Sequence, residues 1–400
     1  MAVTDQTVSR RAGGIAATEP FRLLWGFLQA IDYERRREEP GTLDFTFGDP
    51  REMPPPAYVS ALGDALIPRN EAWFAYKMHE PEAQQAAASS LATLTGLPFE
   101  PEDMLLTTGG FAALSVGMKA VADPGDEVIF SLPPWFLYEG LAVEAGLDPI
   151  KVRVEPETLD LDIDAIAAAI TPRTRIVIVN SPNNPTGRIY SPSTLQQLAN
   201  VLEEASARNG RRIFILSDEP YNRIVFSGAR FHSPAEFYSH TLIAYSYGKT
   251  LLAPGQRIGY LALSPSLPER EALREAVQIL QFAVGYAFPN AVMQYALPVL
   301  EKQSIDIARL ERRRDLMVDA LTEMGYAVRR PEGTFYLFPR SPVGDDEAFV
   351  RLLAGKGILV MPGTIFETPG YFRICLTATD EMCERALPGF AAVIGQAVRM

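Results

Sequence analysis

The chain has 400 residues, 47% apolar and 22% charged, with a net charge of −12 at pH 7. That balance describes an ordinary globular protein, and the length calls for a large domain plus a smaller one. No basic run is longer than the three arginines of Arg35-Arg36-Arg37, and the apolar stretches are only strand-sized, which argues against nucleic-acid binding and against a membrane span. Cys375, Cys383, His79, His232 and His240 show no metal-ligand spacing, so no metal is expected. The two thiols read as core groups of a cytoplasmic enzyme.

In chain order, residues 1–45 contain no convincing strand and read as an arm folded back on the C-terminal region. Within it, PFRLLWGFLQ (20–29) is apolar and aromatic. From about residue 87, helical patterns alternate with short apolar runs at 126–132, 175–180, 212–217, 241–247 and 257–263. Segment 194–208 carries Leu195, Leu198, Val201 and Leu202 on one helical face. Such alternation predicts an α/β fold with a mostly parallel sheet flanked by helices. After about Tyr286 the texture changes to a long amphipathic helix (290–324) and strand candidates at 327–330, 334–338, 357–361 and 371–376. The expected division is a large domain over 48–289, with 1–47 and 290–400 forming the arm and a small α+β domain.

Four segments then combine. RIVIVNSPNNPTGRIY (175–190) ends a buried run in carboxamides, prolines and a glycine. Taken alone it is either a rigid turn or a loop held still so that Asn184 faces a ligand. FILSDEPYNRI delivers Asp218 at a strand end, with Tyr221 three residues on. YSYGKTLLAPGQRIGYLAL carries Ser246, Lys249 and Arg257. MLLTTGGFAALSVGMKAV passes from an apolar strand end through Gly109-Gly110 into a helix. Carboxyl ends of neighbouring strands open on one crevice, so these residues can share a site. The glycines and the helix N-terminus suit a phosphate, with Ser246 and Arg257 beside it. A buried strand-end Asp needs a cationic partner such as a protonated ring nitrogen. A lysine in an apolar loop near a second cation has the lowered pKa that a Schiff-base lysine requires. Phosphate, ring nitrogen, phenolic oxygen and aldehyde together describe pyridoxal 5′-phosphate (PLP).

These motifs resemble those of the class I/II aminotransferases, the fold-type-I PLP enzymes similar to aspartate aminotransferase. The likeness runs from FGDPREMPPP (47–56) to YFRICL (371–376). It implies a seven-stranded type of sheet in the large domain. It also implies that Lys249 forms the internal Schiff base, that Asp218 pairs with the pyridine nitrogen, and that Tyr221 and Asn184 reach the ring's phenolic oxygen. Gly110, Phe111 and Ala112 would offer backbone contacts to the phosphate, with Ser246 and Arg257 beside them, and Trp135 would stack on the ring. Arg373 would grip the substrate α-carboxylate, with Gly48 and Asn184 on the substrate as well. Tyr76 would reach the phosphate of a neighbouring subunit, which, with AFPNAVMQ (287–294), implies a homodimer with shared sites. The small-molecule partners implied are an amino acid and a 2-oxo acid.

The chain departs from the family's pattern in places. Gly248 precedes Lys249 where many relatives carry Ser. Phe111 stands where some relatives carry a lysine for a distal carboxylate. With Phe111, Tyr138 and the aromatics of residues 21–27 around the far end of the pocket, apolar or aromatic donors are expected over aspartate. A PLP-dependent lyase of the same fold is the alternative. A non-enzymatic PLP-binding regulator is disfavoured because Lys249 is intact, and a nicotinamide enzyme because no Gly-x-Gly-x-x-Gly follows a strand.

Overall fold

The computed structural model describes residues 7–397. Its first strand, β1 (Leu43–Asp44), lies in the arm, where no strand was expected; a two-residue strand leaves no periodic trace in sequence. The remaining apolar runs become β2 (Met104–Thr107), β3 (Glu127–Leu132), β4 (Asp148–Arg153), β5 (Thr174–Asn180), β6 (Phe214–Asp218), β7 (Thr241–Ser246) and β8 (Gly259–Leu263). They form one seven-stranded sheet in the order β2-β8-β7-β6-β5-β3-β4. Only β8 runs against its neighbours β2 and β7, so the sheet is mostly parallel, as expected. β4 escapes a reading by apolar runs because Asp148, Lys151 and Arg153 interrupt it, which an edge strand tolerates.

The order places the carboxyl ends of β5, β6 and β7 side by side, with Asn180 opposite Asp218 and Asp218 opposite Ala244. Helices cover both faces. On one, Ala113, Leu114 and Val116 of the helix Gly110–Val121 pack against Leu216, Leu242 and Leu261. On the other, Leu195, Leu198 and Leu202 of the helix Pro192–Asn209 pack against Val177 and Ile215. The free edge at β2 is closed by side chains rather than by another strand. His79 Nδ1 accepts the Leu106 N–H at 3.2 Å, while Gln281 and Gln84 donate to the Leu106 and Met104 carbonyls at 2.8 and 2.9 Å.

The C-terminal region contributes β9 (Tyr336–Leu337), β10 (Ile358–Leu359), β11 (Met361–Pro362) and β12 (Phe372–Cys375). A three-stranded sheet, β11-β12-β9, stands beside a parallel β1–β10 pair. Residues 327–330 form no strand. The single helix expected over 290–324 is two, Ala291–Leu300 and Ile307–Glu323. The break is built in: the Ile305 N–H is drawn off to the Thr250 carbonyl at 2.9 Å, and Asp306 caps the second helix by accepting the Arg309 N–H at 2.8 Å. The halves serve different cores. Met293, Leu297 and Leu300 pack with Tyr58, Leu91 and Tyr245, whereas Leu310, Met317 and Leu321 pack with Phe349, Phe372 and Phe390. Cys375 lies in β12 but Cys383 sits in the helix Asp380–Ala397; both thiols are buried and free.

The arm does more than lie on the small C-terminal core. Its helix Glu19–Ala30 buries Leu24 and Phe27 there and also sets Phe21 on the helix Tyr138–Ala145. Gly140 permits that contact, since a Cβ there would come within 2.3 Å of the Phe21 ring.

Candidate active site

One cavity of about 680 Å³ opens where the carboxyl ends of the central strands face the C-terminal region. Gly48, Gly110, Phe111, Ala112, Trp135 and Asn184 line it, as do Asp218, Tyr221, Ser246, Lys249, Arg257 and Arg373. Of the expected cofactor and substrate residues only Tyr76 lies elsewhere. That side chain is 85% exposed and leans on Phe288, with ring centroids 4.8 Å apart, outside the cavity. Of the aromatics expected at the far end, however, Phe111 alone lines the cavity: Phe21 packs on Gly140, Trp25 is exposed, Phe27 is in the small core and the Tyr138 hydroxyl is turned to Asp218.

The loop after β5 is held from within and from across the fold. Asn180 Oδ1 accepts the Asn184 N–H at 2.8 Å, and Asn180 Nδ2 donates to the Asp218 carbonyl at 2.8 Å. Asn183 Oδ1 accepts from the Thr186 N–H and hydroxyl. Gly187, at φ +70°, lies so close to Pro331 that a Cβ would approach it to 2.2 Å, and its carbonyl accepts from the Glu332 and Gly333 N–H groups. The carboxamides thus fix the loop, and Asn184 is left aimed at the cavity.

Three cations meet there. Lys249, in the short helical turn Tyr247–Thr250 after β7, is buried, and burial pushes its amine below the usual lysine range with Arg373 and Arg257 adding to the effect. Arg257 lies over Gly109 and donates to the Pro254 carbonyl at 2.7 Å. Arg373, on β12 and 2% exposed, donates to Asn184 Oδ1 at 3.0 Å and to the Thr46 carbonyl at 2.8 Å, while its Nε–H has no partner among the described residues. Its guanidinium lies over the rings of Tyr336 and Phe366, 4.4 and 4.8 Å from the centroids. A buried guanidinium without a carboxylate calls for an anion from outside the chain. The N–H groups of Gly110, Phe111 and Ala112 precede the first bond of their helix, Ala113 N–H to the Gly109 carbonyl, and offer a second anion site.

The acidic groups are fewer. Asp218 is buried, which raises its carboxyl to about 7, although the Tyr138 hydroxyl donating at 2.5 Å and the Lys249 charge both work against the rise. It needs a cationic partner to ionise fully. Asp49 also lines the cavity, without a side-chain partner among the described residues; its neighbour Arg51 pairs with Asp44. Tyr221 is buried, its phenol is raised well above the ordinary range by that burial, and its hydroxyl lies 3.2 Å from that of Tyr336. Sequence reasoning missed Tyr336, Asp49, Phe136 and Tyr286 among the lining residues, and it took Tyr138, whose hydroxyl instead bonds Asp218 from outside the lining, only as apolar surface. TFYLF and GDP gave the one available signal, aromatic and acidic residues flanking glycines beside recognised motifs.

A seven-stranded α/β sheet with a buried lysine, a strand-end aspartate and two anion sites defines a cofactor-dependent enzyme acting on anionic substrates. Residues 40–390 match the family described as aminotransferase class I and II, and the chain belongs to that family. It is 33% identical to the aspartate/prephenate aminotransferase of Thermus thermophilus over 91% of this chain and 94% of that protein. It is 29% identical to the aspartate aminotransferase of Rhizobium meliloti over 89% and 90%. An amino transferase structure from Eubacterium rectale superposes with a TM-score of 0.88 at 28% identity, covering 98% of this chain and 99% of that one. The protein is an aminotransferase, and enzymes of this family depend on PLP. The donor set fits that group: an anion site at Gly110–Ala112 with Arg257, a carboxyl wanting a cation at Asp218, and a buried amine at Lys249 with no partner among the described residues.

Proposed function

We propose that the enzyme moves the amino group of an apolar or aromatic L-amino acid to a 2-oxo acid, with Lys249 holding the cofactor and carrying the proton. The observation behind this reading is that one cavity holds a buried amine, Lys249, and a buried guanidinium, Arg373, neither with a carboxylate partner among the described residues. When bound, PLP supplies an aldehyde for the amino group and an electron-withdrawing ring. The chain's residues do the rest. Gly110, Phe111 and Ala112 would hold the phosphate through their N–H groups, with Ser246 and Arg257 at its side. Asp218, backed by Tyr138, would keep the ring nitrogen protonated, and Trp135 would cover a ring face. The Asn184 amide and Tyr221 hydroxyl would donate to the phenolic oxygen. Arg373 would take the α-carboxylate, using its free Nε–H, with Gly48 on the other side. Lys249 Nζ, kept low in pKa by burial, would accept the α-proton and return it one position along.

Donor choice rests on the far wall. Phe111 is 46% exposed at the cavity mouth, edge-on to Trp135 at 4.8 Å, and Leu24 and Tyr286 lie nearby. Among the described residues Lys249, Arg257 and Arg373 are the only basic side chains lining the cavity, and Asp49 adds a negative charge. A distal carboxylate would be desolvated without a partner, whereas a Leu or Phe side chain would gain roughly 1.5–3 kcal/mol by burial. The relatives' names favour a second reading, aspartate as donor. kcat/KM for phenylalanine, leucine, alanine and aspartate decides between them. Borohydride reduction followed by peptide mapping tests the lysine: a label on a residue other than Lys249 refutes its assignment.

The same reading makes the enzyme a cytoplasmic homodimer. Tyr76, Phe282 and Phe288 form a contiguous exposed aromatic patch, well suited to burial against a second copy whose phosphate site Tyr76 would reach. We set the border between cofactor domain and small domain after Leu300, where the core changes. A fully active monomer in sedimentation would overturn the dimer.

A further inference from the structure

We propose that Tyr336 is a positioning residue that couples the two ends of the site, its ring face fixing Arg373 and its hydroxyl orienting that of Tyr221. The inference rests on the roles read above for Arg373 and Tyr221. Tyr336 belongs to β9, which pairs with β12 so that Tyr336 faces Cys375, two residues beyond Arg373. The short strand sets the Tyr336 ring against the Arg373 guanidinium, 4.4 Å from its carbon to the centroid, and the Phe366 ring contacts the same group at 4.8 Å. A guanidinium held against two rings keeps its plane without spending donors on a carboxylate. Two of its nitrogens bond Asn184 and Thr46, and Nε–H stays free for a ligand.

The hydroxyl has a separate task. It lies 3.2 Å from the Tyr221 hydroxyl, both phenols are buried, and Tyr336 makes no other side-chain hydrogen bond to a described residue. Gly48 crowds it from the other side, since a Cβ there would sit 3.1 Å from the Tyr336 oxygen. Two neutral phenols share a single hydrogen bond in this geometry. If Tyr336 donates, the Tyr221 proton is released to point into the cavity, and the bond it receives strengthens Tyr221 as a donor. Among the described residues the Tyr221 hydroxyl has no other hydrogen-bond partner. Tyr336 thus acts on a bound anion through Arg373 and on the phenolic oxygen of PLP through Tyr221.

The two tasks separate by substitution. Tyr336→Phe keeps the face and loses the hydroxyl; Tyr336→Leu loses both. Binding of 3-phenylpropanoate, a carboxylate without an amine, to the PLP-loaded protein should weaken ~tenfold in Tyr336→Leu and by less than ~twofold in Tyr336→Phe. The pH at which the visible absorbance of the loaded protein changes should rise in both variants, because a weaker donor at the phenolic oxygen favours its protonated partner. Parent-like carboxylate binding in Tyr336→Leu, or an unmoved absorbance transition in Tyr336→Phe, overturns the proposal. Tyr336→Met replaces Tyr336→Leu should the latter not fold. Arg373→Lys is the control: if it binds the probe as the parent does, the reading of Arg373 fails and the carboxylate half of the proposal with it, while the absorbance of Tyr336→Phe still decides the hydroxyl half.

Discussion

Gly109 and Arg257 occupy one space: a Cβ on Gly109 would lie 2.4 Å from Arg257 Nη2. Gly109 also holds φ +88° and ψ 178°, a backbone state reserved for glycine. The same crowding recurs at Gly259, whose Cβ would meet the Tyr245 carbonyl oxygen at 2.3 Å and the Gly109 backbone at 3.0 Å. The glycines therefore let a guanidinium lie flat across the mouth of a helix. Gly109→Ala should strain the loop by an order of 1–3 kcal/mol and drive Arg257 off the anion site. PLP affinity, titrated spectrally into stripped protein, should fall at least ~tenfold. Unchanged affinity would mean that Arg257 does not serve the phosphate.

Tyr138 bears on Asp218 in a way that a rate profile can show. Its hydroxyl hydrogen bond stabilises the ionised carboxylate and so lowers a carboxyl that burial raises to about 7. Tyr138→Phe should therefore shift the acid limb of the kcat–pH profile upward, by roughly half a unit to one unit. A limb that stays put would show that the bond carries no weight in the loaded enzyme.

Stability against pH should report the pairing of Asp218 with the ring. In protein stripped of PLP the folded-state carboxyls of Asp218 and Glu219 ionise near 7, above their ordinary values of 3.8 and 4.5, with burial the leading cause for each. Raised folded pKa values favour the fold while both groups are protonated, below about pH 4, and that stabilisation is lost as pH rises toward 7. A cation against Asp218 removes its part of the loss. The Tm difference between loaded and stripped protein should widen from pH 4 to 7, and Asp218→Asn should abolish the widening. A constant gap would rule out a charged partner for Asp218.

Phe111→Lys tests the far wall. The substitution puts a cation at the mouth of a cavity that, among the described residues, only Lys249, Arg257 and Arg373 line with basic side chains. The ratio of kcat/KM for aspartate to that for phenylalanine should rise by at least ~tenfold, since an otherwise unpaired carboxylate gains a partner. If the parent already prefers aspartate, the wall argument is wrong before the variant is made.

Much of this enzyme was legible as text. Buried parallel strands need continuous apolar runs, and loops that must hold a side chain still need prolines, glycines and carboxamides. Hence the mostly parallel sheet, Asp218, Asn184, Lys249 and Arg257 could be read from local pattern. Local pattern also misled at residues 290–324, where one apolar periodicity spans two helices that face different cores, and in the arm, where β1 is too short to have a period. The partners that tune the site lie far apart in the chain: Tyr138 on Asp218, Tyr336 on Tyr221 and Arg373, Pro331 against Gly187. Only tertiary structure decides such contacts, because a sequence encodes a residue's near neighbours through backbone preference but its distant ones only through how the two cores close on each other.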